Sequence, residues 1–158
     1  MTDTSKTQGA PAAPSAETPA QDAARPSKPF NWPKFQAHMG YTDEQMDEFR
    51  ADERRRRAAE AIPEANKRTV VATVVSAHGC AAGFKEGDRI EVSAAGVVKS
   101  CNVCIYAVAP MTIHAAMAHD RIAEGLDPDG MWFNTYSCQD AGFCNGSWGQ
   151  VCFKVRVE

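Results

Sequence analysis

A chain of 158 residues, 44% of them hydrophobic, has room for one domain of ordinary size or for a smaller domain with appendages. Its net charge of −3 is nearly balanced in each half, which leaves no electrostatic footprint for nucleic acid or for an anionic membrane. No apolar run approaches the roughly 18 residues of a bilayer span, and the amino terminus lacks the basic and apolar regions of a secretory signal, so the chain reads as cytoplasmic.

Residues 1–29 are rich in Ala, Pro, Ser, Thr and Gln and almost devoid of large apolar side chains. Such a segment cannot bury enough surface to offset its ordering entropy, and it is expected to be a disordered tail. Residues 30–67 form a second region. Phe30, Trp32 and Phe35, with Pro33 between them, suggest a docking segment for a partner or an anchor for the helix that follows. Thr42 and Gln45 have the spacing of a capping box, Asp43 and Glu44 occupy the first turn, and Tyr41 and Met46 stand at staple positions. One amphipathic helix is expected from there to Pro63. Its Arg54–Arg57 run could be taken for a nucleic-acid patch, but Asp52 and Glu53 precede Arg56 and Arg57 by four residues, the favourable orientation for intrahelical pairs.

Residues 68–158 read as a cysteine-bearing domain. Thr69–Ser76 is a β-branched run expected to form a buried strand, and Ile90 and Val92 alternate with charged residues in a second, half-buried one. Gly96 turns the chain into a short Val97–Lys99 segment. Ser100 is placed to cap a largely apolar helix from Cys101 to about His119, with Val103, Tyr106, Ile113 and Met117 on one face and Pro110 kinking or dividing it. Met131–Tyr136 suggests a further strand, Cys138–Gly149 a glycine-rich loop, and Gln150–Val157 a closing strand with Val151, Phe153, Val155 and Val157 on one face. The expected fold is α+β: a small, mostly antiparallel sheet with one kinked helical segment packed on it and the first and last strands in contact.

All six cysteines lie in this domain. In a reducing compartment that density points to metal or redox chemistry rather than to a disulfide framework. Cys80, Cys101, Cys104, Cys138 and Cys144 sit in turns or at a helix start, where functional groups are presented, whereas Cys152 lies within a strand. Thiolates are soft ligands suited to zinc, copper(I) or an iron–sulfur cluster, and these five compete for four places. A Cys-x-x-Cys at a helix start also benefits from the helix dipole. His78, two residues from Cys80, could assist or simply bond to backbone, while Asp88 and Asp140 are expected to cap their glycine turns. Two alternatives stand beside the metal site. One is a small enzyme using a cysteine thiolate in a pocket roofed by Trp132, Phe133 and Trp148, although aromatics of this kind more often belong to the core. The other is a structural interaction module without a site.

His78-Gly79-Cys80, Phe84-Lys85-Glu86-Gly87-Asp88, Cys104 with Tyr106-Ala107, Cys138-Gln139-Asp140 and the closing Val-x-Phe-x-Val strand together resemble a family of small, functionally uncharacterised prokaryotic proteins common in anaerobes. The resemblance spans roughly residues 69–158. It implies that Cys80, Cys104 and Cys138 match recurrent cysteines and that Cys101 and Cys144 match those of longer members. Phe84 is a departure, standing where many relatives carry histidine. The resulting expectation is a zinc- or iron–sulfur-binding accessory subunit of a larger redox or metabolic enzyme, docked through its amino-terminal region, with neither nucleic acid nor membrane as partner.

Overall fold

The computed structural model describes residues 29–158, so the expected disordered tail lies almost wholly outside the described residues. Four helices and a four-stranded sheet follow: α1 Trp32–Met39, α2 Asp43–Ala51, α3 Glu53–Ala65, β1 Thr69–His78, β2 Arg89–Ser93, α4 Ile105–Ala123, β3 Thr135–Ser137 and β4 Gln150–Val157. The sheet order is β2-β1-β4-β3 and every pairing is antiparallel. This is the expected α+β architecture, with β1 and β4 in contact along nearly their full length.

The core forms where one face of the sheet meets α4. Val70, Ala72 and Val74 of β1, Ile90 and Val92 of β2, and Val151, Phe153 and Val155 of β4 alternate inward, as a pleated strand requires. They pack against Ala107, Met111, Ala115 and Ala118 of α4. The helix therefore presents a seam of small residues at three- and four-residue spacing. The face expected from sequence was another one: Val103, Tyr106, Ile113 and Met117 are exposed. Alanines win the inward position because they let the helix axis approach the sheet, leaving Met111 to fill the remaining space.

The amino-terminal helices also differ from expectation. The Phe30–Phe35 segment is largely helical, and Phe30, Trp32 and Phe35 pack edge to face with one another. Phe49 of α2 contacts both Trp32 and Phe35, and Tyr41 joins them, so these rings anchor α2. The capping box of Thr42 and Gln45 forms as predicted. The single long helix does not. Asp52 is extended, and its carboxylate accepts from the amides of Arg54 and Arg55, ending α2 and opening α3. That use of Asp52 replaces its expected pairing with Arg56, which instead pairs with Glu60, while Arg57 reaches across to Glu124 at the end of α4. Pro63 lies inside α3, which continues to Ala65.

Candidate functional site: a cavity lined by three thiols

Antiparallel pairing places the end of β1, the end of β3 and the start of β4 at the same end of the sheet. His78 pairs with Gln150, and Ser137 with Cys152. The amino terminus of α4 arrives at the same place, and a cavity of about 590 Å³ lies between these elements. Cys80, Cys104 and Cys138 line it together with Phe84, Tyr106, Gln139, Asp140, Trp148 and Val151. The volume falls within the range of about 300–1,000 Å³ typical of ligand sites.

Each thiol is held by a different device. Cys80 is separated from β1 by Gly79, whose φ of 61° turns the chain, and its carbonyl accepts from the amide of Gly83 to close the next turn. Cys104 is the N-cap of α4; its carbonyl accepts from Ala107 and Val108, and its side chain makes no capping bond. The amides of the first helical turn lack acceptors within the helix. Cys138 directly follows β3. Its amide donates to the Val151 carbonyl at 2.8 Å, and its sulfur accepts from the Val151 amide at 3.3 Å.

Pro110 has a part in this arrangement. It neither divides α4 nor ends it: the helix runs continuously from Ile105 to Ala123. Lacking an N–H, Pro110 cannot bond the carbonyl four residues earlier, that of Tyr106. That carbonyl accepts the amide of Gln139 at 3.0 Å, tying the segment after Cys138 to the helix that carries Cys104.

Asp140 organises the remaining wall. Its carboxylate accepts from the amides of Gly142, Trp148 and Gly149, so it caps its loop as expected. The Ser147 hydroxyl and these amides hold its carboxyl below the usual carboxylate range. The loop is then pressed against β1: Gly149 is buried beside the His78 and Gly79 carbonyls, with no space for a side chain. Asp88 likewise accepts from the Lys85 amide in its own turn.

The other sequence candidates are placed elsewhere. Cys101 is exposed and lines a separate groove with Phe84, Arg89 and Lys99, although only two residues separate it from Cys104. The reason is that α4 starts at Ile105, not at Cys101. Ser100, expected as the cap, accepts from the Glu91 amide and donates to the Arg89 carbonyl, which fixes the segment to β2 instead. Cys144 is exposed in a short 3₁₀ turn, Phe143–Asn145, and lines neither cavity. His78 is exposed at the end of β1 and is not part of the wall. Trp132 and Phe133 are exposed and stack on each other rather than entering core or pocket, whereas Trp148 stands on the cavity rim. Phe84 is buried edge-on to Phe153, closing the cavity floor with an apolar ring. Tyr106 and Gln139 of the wall are site residues that sequence reasoning misses; their only signal is adjacency to Cys104 and Cys138.

Among the described residues, no three His, Cys, Asp or Glu side chains are grouped closely enough to hold a metal ion as they stand. No helix there is long and apolar enough to cross a membrane. Compared with family models, curated proteins and solved structures, the chain matches none.

Proposed function

We propose that this cavity captures a thiophilic metal centre, zinc or an iron–sulfur cluster, through Cys80, Cys104 and Cys138, and that the chain serves as an accessory subunit of a larger enzyme. The observation that carries the reading is that three cysteines from three separate elements line one cavity. Soft donors from independent supports suit a site in which χ1 rotations bring the sulfurs onto a common centre. Three thiolates would leave a fourth position open, as in sites where the metal meets an exogenous ligand. Cys104 stands at a helix amino terminus, and the Cys138 sulfur is held by the Val151 amide, so both sulfurs have fixed backbone supports. Cys101 and Cys144 have no place in this set.

A nucleophilic thiolate in the same cavity is less well supported. Among the described residues no histidine lines the wall, and the one carboxylate, Asp140, is occupied by loop amides. A general base for thiol chemistry has no candidate there.

The test is anaerobic purification followed by elemental analysis and an absorption spectrum. Iron with broad visible absorbance, or stoichiometric zinc without colour, is expected for the wild type. Cys80→Ser, Cys104→Ser and Cys138→Ser should each lose metal, while Cys101→Ser, Cys144→Ser and Cys152→Ser should retain it. A folded, metal-free wild-type protein would sink the proposal.

A further inference from the structure

The exposed side of α4 is unusual. From Ile105 to His119 the sequence contains no Asp, Glu, Lys or Arg. A helix face in contact with water ordinarily carries charge, yet here Tyr106, Ile113 and Met117 form an apolar stripe at i, i+7 and i+11. Tyr106 and Ile113 are 60% and 65% exposed. The stripe has a definite direction. His114 packs at a tilt against Tyr136 of β3 at 5.2 Å, so that side of α4 faces the β3 edge, and the stripe lies one step further round the helix, looking past the edge.

β3 is the last strand of the sheet. The Asn134 carbonyl and the Cys138 amide both bond to β4. The alternation of an antiparallel ladder therefore turns the backbone groups of Thr135 and Ser137 outward. Tyr136 against His114 and Gln139 against Tyr106 show that β3 runs antiparallel to α4. Trp132 and Phe133, 91% and 70% exposed, precede β3 on the side of the sheet towards which α4 runs.

We propose that this edge is a self-association surface, covered by a second copy of the chain related by a two-fold axis. Antiparallel pairing of two β3 strands would continue the sheet and bring the two α4 stripes side by side on the same sheet face. The surface is self-complementary. Beside the large stripe runs a shallow one of Ala109, Thr112 and Ala116, into which Ile113 and Met117 of another copy can fit. Between Ile105 and His119 it carries no formal charge, so two copies meet there without like-charge cost; the first charge is Asp120, exposed just beyond Met117 at the end of the stripe. Tyr106, Trp132 and Phe133 expose roughly 450 Å² between them. Ile113 and Met117 bring the patch towards the about 800 Å² per partner of a stable interface, beyond what monomers commonly expose.

Sedimentation velocity of the full chain from about 1 to 200 µM tests this. The expected result is a species of twice the chain mass. Ile113→Glu places two carboxylates near the axis and should weaken association by at least about 100-fold. Trp132→Ala changes a side chain with no core role and provides a second variant if Ile113→Glu folds poorly. A wild-type monomer at the highest concentration would overturn the proposal and leave the face to a different partner. A dimer unaffected by both substitutions would overturn it as well. Neither outcome bears on the metal content of the cavity.

Discussion

Gly149→Ala is the sharpest perturbation of the crossing that shapes the cavity. A Cβ built on Gly149 would overlap the carbonyl oxygens of His78 and Gly79 and stand 2.5 Å from the Gly79 carbonyl carbon. All three are backbone atoms, so no rotamer change relieves the clash; β1 and β4 must separate where they are paired. Overpacking relieved by side chains costs about 1–3 kcal/mol, and relief through backbone belongs at the upper end. Subtracting up to about 1 kcal/mol for the entropy gained by replacing glycine leaves a net loss of about 2 kcal/mol. With an m-value near 2 kcal/mol/M in urea, the midpoint should fall by about 1 M. Gly146→Ala is the control. Gly146 has φ of 78°, but a Cβ added there would meet nothing within 4 Å, so the substitution brings left-handed strain of up to about 2 kcal/mol, which the same entropy term reduces to about 1 kcal/mol. Urea denaturation of the three proteins should rank wild type, Gly146→Ala, Gly149→Ala in falling stability. A Gly149→Ala midpoint equal to wild type, or above that of Gly146→Ala, would refute the argument that this contact is tight.

Tyr136 stacks on Phe153 at 5.0 Å, and its hydroxyl is buried without a partner. Burial, with the Cys138 charge second, pushes its pKa well up. Tyr136→Phe should therefore leave stability unchanged or raise it by about 1 kcal/mol, read as a urea midpoint. His119 Nε2 is also buried and unpartnered, and burial lowers its pKa. A depressed histidine pKa favours the neutral ring in the folded state, so its contribution is intact above the ordinary value of about 6.5 and is lost as pH falls through the lower folded value. His119→Leu should flatten the stability profile below about pH 6.5 relative to wild type; an unchanged slope would exclude His119 as its source. Asp140, held below the usual carboxylate range, contributes above its unfolded pKa and stops contributing as pH falls through the folded value. Asp140→Ala should speed hydrogen exchange at the Gly142, Trp148 and Gly149 amides at neutral pH, and equal exchange in both proteins would rule out the carboxylate as their anchor.

The strands are legible in the sequence because their signals are local. Thr69–Ser76, Ile90 with Val92, and Gln150–Val157 all appear where alternation or β-branching places them, and β1 merely extends two residues further. Helix starts are harder. Ser100 and Cys101 resemble a cap and a first turn, but the Ser100 hydroxyl has a competing partner in β2 that only tertiary structure reveals. Asp52 resembles a mid-helix acid and serves as a cap, since the same carboxylate can do either. The buried face of α4 is not the one that apolar size suggests. The sheet selects the alanines, and the large residues are left outside. Among the five candidate cysteines, spacing does not distinguish the three that share a cavity from the other two, since strand pairing brings Cys80 and Cys138 together from distant parts of the sequence.

That pairing also accounts for where chemistry can be placed. At one end of the sheet, the Thr69 and Glu158 backbones exchange hydrogen bonds and Arg89 pairs with Glu158, so the ends of β1 and β4 are closed on each other. At the other end, the strands hand over to irregular segments: Gly79-Cys80 after β1, Cys138-Gln139 after β3 and Trp148-Gly149 before β4. Each is fixed by a bond from outside the sheet, through the Tyr106 carbonyl that Pro110 leaves free, the Asp140 carboxylate, or the Gly149 contact. Irregular backbone with this many supports is a good place to hold sulfur atoms at the mouth of a cavity. For the proposed metal capture their side chains would need only to rotate, while the chain that carries them stays in place. Cys101 and Cys144, both exposed, do not line this cavity.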